Sequence, residues 1–261
     1  MIHIDRIVEG TIVVTAVKGR LDSSSSPKLE EFLAGAPNEG TILLDFAELT
    51  YISSAGLRVV LKATKLVRGA GGTLAVCGLV PQVHEVFDVS GFFLAHPDPY
   101  QSRGRPRHHD LTIPAEVAER AMTDIEFDLR LPNDVTQLDR LSTRIEAYAR
   151  AAGIAAKPAY RLQLAVDEFF NNAVDYGYPD GRAGEIAIHV RRAGDRLELV
   201  FSDDGDPFDP FAAPAPDLAG TVEERPIGGL GVHLVRTLCD SFAYAREGNR
   251  NVKRLTFSLA A

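Results

Sequence analysis

The chain has 261 residues, 45% hydrophobic, 25% charged and 8% aromatic, with 22 glycines and 15 prolines. That composition excludes disordered, collagen-like and coiled-coil classes, and at about 150 residues per domain the length favours two domains. Lysine and arginine number 28 against 36 aspartates and glutamates, a net charge of −8, so nucleic acid and anionic membranes are not expected as partners.

No apolar run of membrane-spanning length occurs, and the opening MIHIDRIVEG lacks a basic segment leading into an apolar one, which points to the cytoplasm. Cys77 and Cys239 lie far apart inside apolar runs and read as buried thiols of a reducing compartment.

Over residues 1–96, short β-rich runs at Thr11–Val17, Thr41–Phe46 and Thr73–Cys77 alternate with helical patterns at Pro27–Ala34, Gly56–Arg68 and Pro81–Val89. This predicts a mostly sheeted α/β domain with helices packed on it. Ser53 and Ser54 stand where they can cap the second helix, Leu57, Val60, Leu61, Thr64 and Leu66 form its stripe, and the glycines of 69–72 stop it. The stretch from His96 to Pro114, HPDPYQSRGRPRHHDLTIP, has neither a two-residue nor a helical apolar period and reads as a linker at 97–114. A second domain at 115–261 follows.

That domain opens with a strand alternation at Ile125, Phe127, Leu129 and Leu131. Asn133 or Asp134 then caps a helix bearing Leu138, Leu141, Ile145 and Tyr148. A second helix is expected after Pro158, with Leu162, Leu164, Ala165, Phe169, Ala173 and Val174 as its buried side, ending at 176–181. Strands at Ile186–Arg192 and Arg196–Ser202 share a turn at 193–195, and a loop, a helix and a last strand at Arg254–Leu259 complete the order.

No GxxxxGK[ST], HExxH, GxSxG or paired CxxC occurs, so the common enzyme signatures are absent. Three clusters remain. In Asp167–Ala173, Glu168 and Asn172 share a helix face, offering a base beside a neutral oxygen ligand for Mg²⁺; a solvated helix face is the plainer explanation. Ser202–Pro210 carries Asp203, a candidate acceptor for an exocyclic amine, and Gly205, which lets a flat ring approach, or else is an acidic turn. Gly228–Val232, before an apolar helix pattern, offers free backbone amides to an anion, or is a flexible loop. In this order the three compose a nucleotide site without a P-loop.

With these residues on view, the second half resembles the histidine-kinase-like ATPase family, in particular its anti-sigma-factor serine/threonine kinase branch. Asp167–Val174 resembles the N box, Asp203-Asp204-Gly205 the first glycine box and Gly229-Leu230-Gly231 the second. The resemblance implies an α/β sandwich of the Bergerat type and binding of ATP and Mg²⁺. It implies Glu168 as catalytic base, Asn172 as Mg²⁺ ligand, Asp203 at adenine, Gly205 shaping the pocket, Gly229 and Gly231 at the phosphates, and an ATP lid at 210–227. Near the last strand, where family members often carry Gly-Thr, stands Asn251-Val252-Lys253-Arg254. His189 and His233 match no family position and read as structural.

The first half resembles STAS domains of the anti-sigma-factor antagonist type, through Leu43–Phe46 and Tyr51–Leu57, which implies a mixed-sheet α/β fold. In that family the phosphorylated residue directly precedes the loop glycine. Ala55 holds that position here, leaving Ser54 and Ser53 as candidate phosphorylation sites.

The resemblances together imply a partner-switching kinase acting on a STAS protein, its own domain or a separate one, with a sigma factor, a PP2C-type phosphatase and a homodimer as further partners. A non-catalytic ATP-binding module whose STAS domain occupies the partner site is the alternative reading, and a general ATPase a third.

Overall fold

The computed structural model describes residues 2–9, 12–35, 40–92, 126–212, 214–216, 218 and 229–260. The expected linker at 97–114, Thr11, Ile125, Gly228 and most of the lid lie outside them. In chain order the first domain runs β1 (His3–Glu9), β2 (Ile12–Leu21), α1 (Ser26–Ala34), β3 (Thr41–Asp45), β4 (Leu49–Ile52), α2 (Ser54–Gly69), β5 (Thr73–Cys77) and α3 (Pro81–Val89). The second runs β6 (Glu126–Pro132), a 3₁₀ turn (Val135–Gln137), α4 (Leu138–Ala151), α5 (Ala156–Tyr176), β7 (Glu185–Ala193), β8 (Arg196–Asp203), α6 (Leu230–Leu238), β9 (Ser241–Glu247) and β10 (Arg250–Ser258).

The first sheet is mixed, as its resemblance implied. It is ordered β1-β2-β3-β5, with β1 antiparallel to β2, the β2–β3 and β3–β5 pairs parallel, and β4 parallel to the far end of β2. The second sheet is ordered β6-β7-β8-β10-β9 and antiparallel at every pairing. On β6, Phe127, Leu129 and Leu131 are buried at every second position beneath Leu141 and Ile145 of α4 and Phe169 and Phe170 of α5, which is how a one-sided sheet buries its apolar face against helices.

Several expectations need correction. β1, β4 and β9 carried no clear signal. Ile7 and Val8 on β1 and Phe242 on β9 are exposed, so β1 and β9 have no buried face to impose a two-residue period, whereas β4 is buried but only four residues long. β10 begins at Arg250, four residues before the expected start, because its first half buries Asn251 and Lys253 with Val252. Pro158 sits inside the first turn of α5 rather than before it, where no amide hydrogen is required of it. Leu66 is exposed and Val67 takes its place in the α2 stripe. Cys77 and Cys239 are half-buried.

Helix α5 organises the molecule. Leu162, Ala165, Val166, Phe169 and Phe170 face the second sheet, whereas Tyr160 and Leu164 join the first domain's core, together with Leu234 and Leu238 of α6. The expected one-sided stripe is therefore two faces, and Val174, placed on it, is only partly buried. The two domains are packed through a shared apolar seam. Among the described residues no helix is long and apolar enough to cross a membrane.

Polar pairs fix the register of that seam. The buried Tyr160 hydroxyl donates to the Ile52 carbonyl at 2.8 Å and accepts from the Ile52 amide at 3.1 Å. Arg161 and Lys157 of α5 engage Glu85 of α3. Replacing Tyr160 with Phe leaves buried β4 backbone groups without their partner, so urea unfolding of Tyr160→Phe is expected to show a loss of about 1–3 kcal/mol.

Candidate functional site

The site forms where α5, the start of α6 and the first turn of α2 meet. Ser53 caps α2, its side chain accepting from the Ala55 amide at 3.2 Å, so the next residue, Ser54, presents an uncommitted backbone amide and hydroxyl. Both go to Glu168. The Ser54 amide donates to Glu168 Oε1 at 3.0 Å, and Ser54 Oγ donates to Oε2 at 2.8 Å. All of this is buried. The solvated-face alternative for Asp167–Asn172 is thereby removed for the two carboxylates.

The glycines expected at the phosphates stand beside this pair. Gly229 has φ +78° at the entry to α6, a left-handed conformation that favours glycine. A Cβ on Gly231 would lie 1.9 Å from Glu168 Oε2 and 3.2 Å from Ser54 Oγ, so only glycine permits α6 to approach the carboxylate. A cavity of about 240 Å³ opens here, lined by Ser54, Arg58, Glu168, Asn172, Gly229 and Gly231 among others. Among the described residues the Asn172 side chain makes no hydrogen bond and faces this cavity, whereas Asn171 donates to the Asp167 carbonyl at 2.8 Å. Of the two asparagines, Asn172 is free to bind a cation.

The cavity narrows toward β8 and β10, where Asp203 is buried rather than displayed on an acidic turn. Its Oδ1 accepts from the Gly205 amide at 3.1 Å and Asn251 Nδ2 at 2.7 Å, and its Oδ2 from Lys253 Nζ at 2.5 Å. A Cβ on Gly205 would meet the Gly177 carbonyl at 2.8 Å, so glycine is required there for the loop after β8 to pack on the end of α5. Glu168, Asn172, Gly229 and Gly231 line the larger cavity, with Ser54 on its wall from the other domain, and Asp203 lines a smaller space beside it that shares Asn172, Tyr176, Phe208 and Pro210; Gly205 lines neither.

Ser53 does not join them; its hydroxyl serves the cap. His189 pairs with Asp128 at 2.9 Å on the outer sheet face, and His233 contacts the Val89 carbonyl at 3.2 Å while lining the cavity rim. Sequence reasoning missed Arg58, one turn beyond Ser54 on α2, which a helical-face argument from Ser54 could have found. It also assigned no role to Lys253, whose only signal was a charge inside an apolar strand.

The polar groups suit a nucleotide: amide donors at the start of α6 and an uncommitted amide oxygen on Asn172 at the larger cavity, and a buried carboxylate acceptor at the smaller space beside it. The space beside Asp203 is lined in part by Tyr176 and Phe208, both exposed.

Comparison with known proteins bears on both halves. The histidine kinase-like ATPase domain matches residues 131–257 and the STAS domain residues 3–100. A Bordetella bronchiseptica protein provisionally named an anti-sigma factor antagonist, BtrV, is 41% identical over 88 residues, 33% of this chain and 76% of that protein. Serine-protein kinase RsbW of Bacillus velezensis is 30% identical over 124 residues, 45% of this chain and 77% of that protein. The solved RsbU and RsbW domains of Rv1364c from Mycobacterium tuberculosis superpose with a TM-score of 0.39 at 15% identity, covering 51% of this chain and 32% of that one.

Beside Glu168, Asp167 anchors a buried polar network across the domain seam. Tyr51 donates to its Oδ2 and Gln163 to its Oδ1, both at 2.6 Å, and Arg20 lies 3.6 Å away while covering the Tyr51 ring at 3.9 Å. Burial pushes Asp167 up to about 7, against the pull of Tyr51, Arg20 and Gln163. Burial also raises Glu168. A carboxyl held above its unfolded value keeps a proton in the folded state that the unfolded chain has released, so its contribution declines as pH rises from about 4 to about 7. Asparagine mimics the protonated form. The stability of wild type relative to Asp167→Asn, measured by urea unfolding across that range, is expected to fall by up to about 1.4 kcal/mol per pH unit.

Proposed function

Because the chain belongs to the STAS family over its first domain and to the histidine kinase-like ATPase family over its second, we propose that it is a partner-switching serine kinase that carries its own substrate domain, with Ser54 as the internal acceptor. The observation that carries this reading is the 2.8 Å hydrogen bond from Ser54 Oγ to Glu168 Oε2 on the wall of the cavity lined by Asn172, Gly229 and Gly231. An acceptor hydroxyl within hydrogen-bond reach of a base is the geometry that general-base catalysis requires.

Each group then has a defined task. Glu168, raised by burial, is a stronger base than an exposed glutamate and takes the Ser54 proton on Oε2. The Ser54 amide on Oε1 fixes the carboxylate so that Oε2 stays aimed at the hydroxyl. Backbone amides around Gly229 and Gly231 hold phosphate oxygens at the start of α6, Asn172 offers its amide oxygen to Mg²⁺, and Asp203 with Gly205 receives the base. When bound, ATP with Mg²⁺ supplies the phosphoryl group that Ser54 Oγ accepts as the bond to the leaving diphosphate breaks. Ala55, at the position the family phosphorylates, has no hydroxyl, and Ser53 is committed to its cap.

A phosphate on Ser54 places about two negative charges against the Glu168 carboxylate. Repulsion at the head of α2 opposes the docked arrangement and frees the second domain's face for a separate STAS antagonist or a sigma factor, with a PP2C-type phosphatase resetting the serine. Until then the tethered domain competes at an effective concentration near millimolar.

Incubation of the full chain with ATP and Mg²⁺, followed by peptide mass spectrometry, is expected to find one phosphate, on Ser54. Glu168→Gln should slow its appearance by about 10²–10⁴-fold, and Ser54→Ala should abolish it while preserving ATP binding. Phosphate on Ser53, or only on an added STAS protein, would remove Ser54 from the acceptor role; none anywhere despite ATP binding would leave a non-catalytic module.

A further inference from the structure

The first domain puts a second side chain into the cavity beside Ser54. Arg58 stands four residues on in α2, on the same helix face, and side chains on a helix lean back toward its N-terminus. Arg58 is half-buried and lines the cavity together with Ser54, Glu168 and Asn172.

The fold itself gives this cation no task. Among the described residues Arg58 makes no hydrogen bond and no ion pair. Burial raises the carboxyls of Glu168 and Asp175, opposed by Ser54 at Glu168 and by the Arg58 charge at both, so Arg58 stands near two acids without being paired to either. No acidic residue lies in the first turn of α2, and a positive charge near a helix N-terminus runs against the macrodipole. The other arginine of the cavity wall, Arg236 on α6, is laid over the Phe242 ring at 5.3 Å.

The charge of the cavity shows where such a cation is needed. The second domain contributes Glu168 and Asp175 to the wall, and carboxylates repel a polyphosphate. A guanidinium is a planar fork of five donors that suits phosphate oxygens and keeps its charge. An arginine that stabilises the charge on a transferring phosphoryl group is a recurring device. Here the arginine belongs to the helix that carries the acceptor serine, not to the domain that carries the base.

We propose that Arg58 is a catalytic arginine supplied by the acceptor domain, holding an oxygen of the terminal phosphoryl group while Ser54 is phosphorylated. The ATP-binding domain is thereby incomplete until a STAS domain docks, which ties transfer to docking and restrains transfer to water. In the step, a bond forms from Ser54 Oγ to the terminal phosphorus as the bond from that phosphorus to the bridging oxygen of the diphosphate breaks. The electron pair leaves with the diphosphate, the Ser54 proton goes to Glu168, and Arg58 stays protonated throughout. Because Arg58 shares a helix face with Ser54, it departs with the product and pairs with the new phosphate. The inference rests on the kinase reading above and deepens it to the residue that couples transfer to docking.

The test takes two readouts on the full chain, in wild type, Arg58→Ala and Arg58→Lys. One is the rate of Ser54 phosphorylation by ATP with Mg²⁺, followed by peptide mass spectrometry; the other is calorimetric affinity for AMP-PNP against ADP, both with Mg²⁺. Arg58→Ala is expected to slow phosphorylation at least about 100-fold. It should also shrink the preference for AMP-PNP over ADP about threefold or more, with ADP affinity unchanged. Arg58→Lys keeps the charge beside Glu168 and Asp175 but loses the fork, and is expected to fall between the two in both readouts.

A rate for Arg58→Ala within about threefold of wild type, or a slower rate with the AMP-PNP preference unchanged, would overturn the phosphate contact while leaving the kinase reading intact. Wild type that binds AMP-PNP yet places no phosphate on Ser54 would overturn the kinase reading, and this inference with it.

Discussion

A buried carboxylate must be met by hydrogen-bond donors, and Glu168 finds both of its donors in the other domain, on Ser54 at the head of α2. Most other features of the site follow from satisfying it. The head of α2 brings a partial positive charge to a buried anion. Gly231 must lack a side chain because α6 passes over the same oxygen. Ser53 must absorb the cap so that Ser54 is left uncommitted. The contact that holds the domains together is also the contact between a base and a hydroxyl, so structure and chemistry draw on the same two hydrogen bonds.

Around it the seam is built from two kinds of interaction with different consequences. Leu164, Leu234 and Leu238 extend the first domain's core and supply non-directional burial. The Tyr51–Asp167–Gln163 network and the Tyr160–Ile52 pair add direction and fix register. A network of buried polar groups is stable only while every member is satisfied, which makes the seam sensitive to charge. A new anion at Ser54 would face Glu168 directly, with Asp167 one residue away on the same helix. The arrangement is suited to being held firmly in one charge state and loosened in another.

The two adjoining spaces solve different problems. At α6, Gly231 leaves room for the Glu168 carboxylate that a side chain would fill. At β8 and β10, Asp203 is kept in place by the side chains of Asn251 and Lys253 on β10 and by the backbone amide of Gly205 in the loop after β8. Lys253 pairs with the carboxylate and costs desolvation of its own, seen as a lowering of its affinity for a proton. The aromatic faces of Phe169 and Phe201 line that position, and Phe169 belongs to the helix that carries Glu168, so one element sets both ends.

Much of this was legible in the chain alone. Periodicity located the helices and most strands with a buried face, and the order of Glu168, Asn172, Asp203, Gly205, Gly229 and Gly231 pointed to a nucleotide site, because such a motif depends on residue type at local spacing. Edge strands β1 and β9 were not legible, since exposed faces leave no apolar period. Nor were the two faces of α5: a helix packed on both sides carries one run of apolar residues that does not say which neighbour each one meets. The difference between Ser53 and Ser54, the partners of Asp203 and the reach of Lys253 were decided only by tertiary structure. They are set by contacts between residues some 50 to 114 positions apart, and no local spacing encodes a distance across a domain seam or a sheet.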